Sequence, residues 1–410
     1  MPSQAGATPA EPGLTVADVV RVGLPIYAHN HRLPPQHWRV LRAMMACRTP
    51  ELGGHMYQCS QCGTERFVPH SCRNRHCPTC QGANGYAWMQ AQTDVLLPIP
   101  YFHLVFTLPH ALNPLIRQNQ RSCYDLLFDS ACTTLLTFGR QELAAQPGVT
   151  AVLHTWSQSL CEHYHIHCIV TGGGLRDDGT WAGTPAHWLF PVHALSAMFR
   201  GKFRAGLQHL YQNGQLEFHG QQAPSGEPAA FATLLREATS RPWNVYAKRP
   251  FAGPETVLAY LARYTHRVGI TNRRILSLDA TTHRVTFDYK DYADGAKHKR
   301  MTLTCEEFVR RLQFHILPAR FVKLRHYGLL ANRNRHTRIG QARAALPPAP
   351  VPLLPPPPTA ATATASEPEI PAGLPRCCPN CHQPANWVLI KHVPRPRSLP
   401  GCPVPYLDSS

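Results

Sequence analysis

Apolar residues follow two rhythms along this chain, one of strands and one of helices. The run Tyr101-Phe-His-Leu-Val-Phe-Thr-Leu-Pro109 is nearly continuous and predicts a buried strand. Val149 to Trp156 and Tyr164 to Val170 predict two more, the second rich in aromatic and β-branched residues and stopped by Gly172-Gly-Gly174. The short Ser/Gln/Cys/Glu stretch between them predicts an antiparallel hairpin. Helical spacing marks Thr15 to Ile26, Pro35 to Cys47, roughly Leu112 to Ala145, and much of 185–240. Pro242 to Phe251 is extended. Gly253-Pro254-Glu255 then opens a helix, with glycine as cap, proline first and an acid at its positive end; it runs to Val268 and stops at Gly269. Short strands follow at Ile275–Leu278, Arg284–Lys290 and Arg300–Leu303, then a helix from Cys305 to Leu317 and a basic segment from Phe321 to Arg338.

Composition divides the chain further. Residues 346–375 are dominated by Pro, Ala and Thr, with prolines 355–358 in a row, which predicts a disordered linker. The predicted divisions are a lead-in (1–34), a cysteine module (35–90), a main domain (91–338), the linker (339–375) and a tail with a Cys knuckle (376–410). Lys plus Arg outnumber Asp plus Glu by 41 to 24, a formal charge of +17. That excess points to a polyanion, most simply nucleic acid, with a membrane surface as the competitor. No apolar run approaches the ~20 residues of a membrane span, and residues 1–13 lack the pattern of a signal peptide. A cytoplasmic, nucleoid-associated protein is expected. In that compartment 15 cysteines point to metal ligands before disulfides.

The cysteines cluster. Cys59-Ser-Gln-Cys62 and Cys77-Pro-Thr-Cys80 are two CxxC knuckles, and two knuckles make a tetrahedral Zn²⁺ site. Cys47, His55, Cys72 and His76 stand nearby, either as a second zinc site or as unrelated residues. Arg73 and Arg75 lie between the ligands and suit DNA phosphates. Cys377-Cys-Pro-Asn-Cys381-His382 is half a knuckle, for which His392 and Cys402 are candidate partners.

The chemistry centres on His163-Tyr-His165-Ile-His167. Side chains alternate along a strand, so His165 and His167 share one face, while Ile166 points to the other and anchors a core. Two imidazoles about 7 Å apart along the backbone can close on one divalent metal. The candidates for a third ligand are His154, Gln158, Glu162 and His163, and the hairpin favours His154 or Gln158. Tyr260 and Tyr264, four apart, share one face of the predicted helix and are either an aromatic core stripe or a catalytic pair. Leu258 and Leu261 supply a separate apolar strip, and Arg263, His266 and Arg267 surround the phenols with charge, which favours the catalytic pair. Lys248 is either a phosphate contact or a solvated surface lysine.

His165-Ile-His167 with Tyr260-Leu-Ala-Arg-Tyr264-Thr-His-Arg-Val resembles the HUH endonucleases of the two-tyrosine type. The chain as a whole resembles the transposases of the insertion-sequence ninety-one family. Cys72-Arg-Asn-Arg-His-Cys-Pro-Thr-Cys80-Gln, Val245-Tyr-Ala-Lys-Arg-Pro-Phe and Arg325-His-Tyr-Gly-Leu-Leu-Ala-Asn332 extend the likeness from Pro35 to Arg338. Tyr164 stands where proline is common in that family. The resemblance implies an α+β, HUH-endonuclease-like fold: an antiparallel sheet with packed helices, the His pair on a central strand and the tyrosine helix facing it. It implies rolling-circle transposition through a 5′-phosphotyrosine on single-stranded DNA, with structural Zn²⁺ and catalytic Mg²⁺ or Mn²⁺. It also implies that Tyr260 and Tyr264 are nucleophiles, with Arg263, Arg267 and Lys248 on the DNA. A plasmid-type replication initiator or relaxase shares this chemistry. A zinc-stabilised DNA-binding regulator would explain the charge and the cysteines but leave the His strand idle.

Overall fold

The computed structural model describes residues 13–80, 96–185, 190–248, 268–346 and 374–396. The chain opens with α1 (Val16–Asn30), whose Thr15 and Asp18 form a reciprocal capping box, and α2 (Pro35–Ala46), with proline at its first position. Next come the hairpin β1 (Gly54–Cys59) and β2 (Glu65–Pro69), then β3 (Tyr101–Thr107), α3 (Asn113–Gln118) and α4 (Gln120–Leu143). The expected hairpin is β4 (Gln146–Trp156) and β5 (Glu162–Leu175), with β6 (Trp181–Gly183) after it. Then follow α5 (Val192–Gln212), α6 (Pro228–Thr239) and β7 (Val245–Lys248). The last part holds β8 (Ile275–Asp279), β9 (Arg284–Asp291), β10 (Lys297–Thr304), α7 (Cys305–Gln313), β11 (Leu324–Gly328), α8 (Arg335–Ala345) and β12 (Trp387–Val393).

The largest sheet has the order β11-β4-β5-β3-β7, with β6 added to β5, and every pairing is antiparallel. Its two faces differ because the side chains alternate. Leu104 and Phe106, Ala151 and Leu153, and Tyr164, Ile166, Cys168 and Val170 pack against Tyr124, Leu127 and Phe128 of α4 and Phe199 and Phe203 of α5. Each fully buried side chain of this kind contributes roughly 1.5–3 kcal/mol, so this face holds the domain together. The opposite face carries the histidines. The fold is thus α+β, an antiparallel sheet with helices packed on it and a cysteine module before it.

A second core joins the N-terminal helices to the later part of the chain. Val16, Val19, Val20 and Leu24 of α1 pack with Leu41 and Met44 of α2, Val285 and Phe287 of β9, and Phe308 and Val309 of α7. The expected lead-in therefore ends before α1, because an apolar helical stripe buries itself wherever a matching face exists. The tail differs too: β12 pairs antiparallel with β1, so residues 374–396 add a third strand to the cysteine module. Among the described residues, no helix is long and apolar enough to cross a membrane.

Candidate metal cleft and zinc centres

Strand β5 sits between β4 and β3, and this register assembles the candidate active site. His165 lies opposite His154 of β4 and opposite Thr107 of β3, while His167 lies opposite Val152 and Val105. Metal-binding nitrogens of His154, His165 and His167 fall within 4.8 Å of one another, and all three residues are buried. The hairpin thus supplies the third imidazole.

Local hydrogen bonds orient the rings. A carbonyl can only accept, so His165 Nδ1–H donates to the His163 carbonyl at 2.8 Å, which leaves the lone pair on Nε2. His167 Nδ1 lies 2.8 Å from Nε2 of His103, the rings stacked with centroids 5.1 Å apart. Burial, with Lys248 adding to it, pushes His103 down to about 3, so its ring is neutral; with His167 Nε2 on a metal, the His167 Nδ1–H would donate to His103 Nε2. The site therefore has an orienting residue that sequence reasoning missed. The only hint was a polar residue inside the apolar run from Tyr101 to Pro109.

The other third-ligand candidates go elsewhere. Glu162 points to the opposite face, where it accepts hydrogen bonds from Arg117 and from the Tyr164 hydroxyl at 2.7 Å. His163 meets His110 at the rim, its Nδ1 lying 3.2 Å from the His110 Nε2. Gln158 follows β4 on the cleft wall, its carbonyl held by Arg274.

The three histidines form the floor of a cleft of about 610 Å³. Lys248 and Tyr246 of β7 line one side and Tyr289, Lys290, Asp291 and Tyr292 another. Tyr246 is 52% exposed and Tyr292 68%, and the Lys290 ammonium lies 5.7 Å from the Tyr292 ring centroid. Lys299 holds the Asp291 carboxyl below the usual carboxylate range. Tyr260, Tyr264, Arg263 and Arg267 lie outside the described residues.

The cysteines assemble differently from the expected grouping. Cys77 and Cys80 join Cys47 and Cys72, whereas Cys59 and Cys62 join Cys378 and Cys381 of the tail. The hairpin explains this. Cys59 and Cys62 sit at its tip, while β2 brings the chain back to its base beside the end of α2, roughly 17 Å away for a strand of this length. In the basal group the Cys80 Sγ lies 3.5 Å from those of Cys47 and Cys72. A tetrahedral Zn²⁺ at ~2.3 Å from each sulfur requires about 3.8 Å between sulfurs, so the donor set fits.

His55 and His76 are not part of either group. His55 lies on β1 between the rings of His70 and His392, at 4.7 and 4.6 Å. His76 Nε2 accepts the Leu317 N–H at 3.0 Å, and burial pushes its pKa down to about 3. Arg75 is also turned inward, donating to the Phe321 and Pro318 carbonyls, which removes it from the expected DNA contacts. Both residues fasten the cysteine module to the turn after α7. Arg73 stays exposed, and Lys248 faces the cleft. Cys402 lies outside the described residues, and His392 stays on β12 without joining either cysteine group.

Comparison with known proteins now places the chain. Residues 148–338 match the family model described as "Putative transposase", and residues 19–108 the one described as "Transposase zinc-binding domain". "Putative transposase y4qJ" of Sinorhizobium fredii (strain NBRC 101917 / NGR234) is 40% identical over 378 residues, 91% of this chain and 94% of the relative. The transposase for insertion sequence element IS801 of Pseudomonas savastanoi pv. phaseolicola is 29% identical, covering 76% of this chain and 75% of its own length. A conjugative relaxase, TrwC, in complex with oriT DNA aligns over 41% of this chain and 70% of its own at 17% identity, with a TM-score of 0.21, a likeness too distant to bear on fold or function. The chain belongs to the insertion-sequence ninety-one family of transposases. It acts on DNA and carries a zinc-binding module.

Proposed function

We propose that this transposase cuts and rejoins single-stranded DNA through a covalent tyrosine intermediate, by a rolling-circle route. The observation that carries this is the group of three imidazoles on the sheet face opposite α4 and α5, at the floor of a cleft edged by lysines and exposed tyrosines. His154, His165 and His167 would hold a divalent cation, which would supply Lewis-acid polarisation of the scissile phosphate. An all-nitrogen donor set suits Mn²⁺ better than Mg²⁺, which prefers oxygen.

The chain's own groups do the rest. Lys248 and Lys290 hold the phosphate backbone, and Tyr246 and Tyr292 offer ring faces to unstacked bases. The tyrosine hydroxyl attacks phosphorus, the bond from phosphorus to the 3′-oxygen breaks, and the departing oxygen takes up a proton to become a 3′-hydroxyl. A later attack by a 3′-hydroxyl on the 5′-phosphotyrosine restores the phenol. One phosphodiester is exchanged for another, so no nucleotide hydrolysis is required.

Tyr260 and Tyr264 are the proposed nucleophiles. Residues 249–267 join two points at the cleft: Lys248 lines it directly, and Gly269 lies against Trp156, which also lines it.

The test is formation of a covalent protein–DNA adduct on single-stranded oligonucleotides spanning the element's ends, with Mn²⁺ or Mg²⁺, read on a denaturing gel. Wild type, Tyr246→Phe and Tyr292→Phe are expected to give the adduct. His165→Ala and the double Tyr260→Phe/Tyr264→Phe variant are expected to lose it. An adduct that persists in the double variant would assign the nucleophile elsewhere. Folded wild type that binds these ends tightly yet gives no adduct would favour the regulator.

A further inference from the structure

Half of the tip cysteine group lies outside the region that matches the zinc-binding family model, which ends at residue 108. That half, Cys378 and Cys381, comes from the tail, while Cys59 and Cys62 lie within the matched region. We infer that Cys59, Cys62, Cys378 and Cys381 form a second, structural Zn²⁺ site, completed only when the C-terminal segment folds back onto the N-terminal module.

Three observations support this independently. The first is the sulfur geometry. Cys62 Sγ and Cys378 Sγ are 3.6 Å apart, and all four sulfurs lie within 4.8 Å of one another. That is too far for a disulfide, near 2.05 Å, and close to the about 3.8 Å between two ligands of one tetrahedral zinc.

The second is the repetition of one turn. At the β1–β2 tip the Gly63 N–H donates to the Cys59 carbonyl at 2.9 Å, and the Cys59 N–H donates to the Thr64 carbonyl at 2.9 Å. In the tail the His382 N–H donates to the Cys378 carbonyl at 2.8 Å, and the Cys378 N–H donates to the Gln383 carbonyl at 2.9 Å. The fifth residue of each turn is left-handed: Gly63 at φ +71° and His382 at φ +57°. Residues other than glycine adopt that conformation in only a few per cent of cases, yet here His382 copies the glycine of the other knuckle. Both turns thus present two thiols from a tight loop, which is how paired knuckles grip zinc.

The third is the frame around the sulfurs. Strand β12 pairs with β1 from Val393 opposite Gly54 to Trp387 opposite Cys59, and the Ser60 N–H donates to the Asn386 carbonyl at 3.0 Å. Tyr57, Cys59, Cys378, Ala385 and Trp387 make a small core of their own beneath the ligands. With four thiolates the coordination is closed, leaving no position for a substrate, so the site is structural. It clasps segments 316 residues apart in sequence.

Native mass spectrometry of the purified full-length chain is expected to show two Zn²⁺. The Cys378→Ser/Cys381→Ser variant is expected to show one, and Cys377→Ser, which alters the neighbouring exposed thiol, two. One Zn²⁺ in wild type, or two in the double variant, overturns the inference. A second measurement does not depend on the variant folding. A site-specific protease sequence placed at residues 359–366 is cut in the zinc-loaded protein, and the tail is followed by size-exclusion chromatography. The tail is expected to co-elute with the body until a chelator is added; immediate separation overturns the site.

Discussion

At the scale of single residues, His103 matters most among those that sequence reasoning passed over. A neutral imidazole behind His167 fixes which nitrogen of that ring keeps its lone pair, and such outer partners typically set 10–100-fold of metal affinity. His103→Leu removes the acceptor while keeping the bulk in a buried strand position. Mn²⁺ binding measured by titration calorimetry is expected to weaken by about that factor, with the melting of the protein little changed. Equal affinity in the variant and wild type would show that His167 is oriented without it. His165 and His167 themselves were readable because a strand alternates strictly, and His154 because the hairpin sets it opposite His165. His103 was hidden because its role depends on strand β3 lying beside β5, a pairing between segments over sixty residues apart.

At the scale of elements, local pattern carried most of the fold and failed where partners are distant. The hairpin β4–β5 follows from runs of apolar residues and their stops, the strands β8 to β10 from short segments between turns, and the helix α7 from the helical spacing of its apolar residues. The cysteine grouping does not. Two knuckles adjacent in sequence look like one site, but a hairpin between them sends each to a different end, and the missing ligands of the tip lie beyond a Pro-rich linker. Edge strand β11 shows the same dependence on long-range contact. It ends at Gly328, φ +61°, where an added Cβ would stand 2.0 Å from the Pro147 carbonyl oxygen of β4. Gly328→Ala is expected to detach this strand end and cost on the order of 3 kcal/mol. Chemical denaturation followed by circular dichroism measures this. Unchanged stability would mean that β11 is not held by that close approach. Zinc content should stay as in wild type, because both cysteine groups lie elsewhere.

At the scale of the whole molecule, several joints between its parts are made by histidines that burial keeps neutral. His315 is one. Its Nε2–H donates to the Leu160 carbonyl at 2.9 Å, and its Nδ1 accepts from the Thr155 hydroxyl at 3.2 Å, tying the end of α7 to the β4–β5 turn. Burial pushes its pKa down to about 4, against weaker opposing effects of the Leu160 carbonyl and Glu162. His326, bonded to Thr150 across β11 and β4, is pushed down to about 4 by burial and by Arg335. The unfolded chain takes up a proton near pH 6.5, where the native state does not. Each joint's contribution is therefore complete above pH 6.5 and is lost as pH falls through about 4. For His315 that depression corresponds to roughly 3 kcal/mol across the window. Acid also protonates the zinc thiolates, so the comparison has to be a difference between two proteins that share them. Stability measured by denaturant between pH 7 and 4.5 is expected to fall less steeply in His315→Gln than in wild type, by up to one proton's worth of slope. Parallel slopes would mean that the native His315 protonates as readily as the unfolded one, and that the joint beneath the metal cleft is open to water.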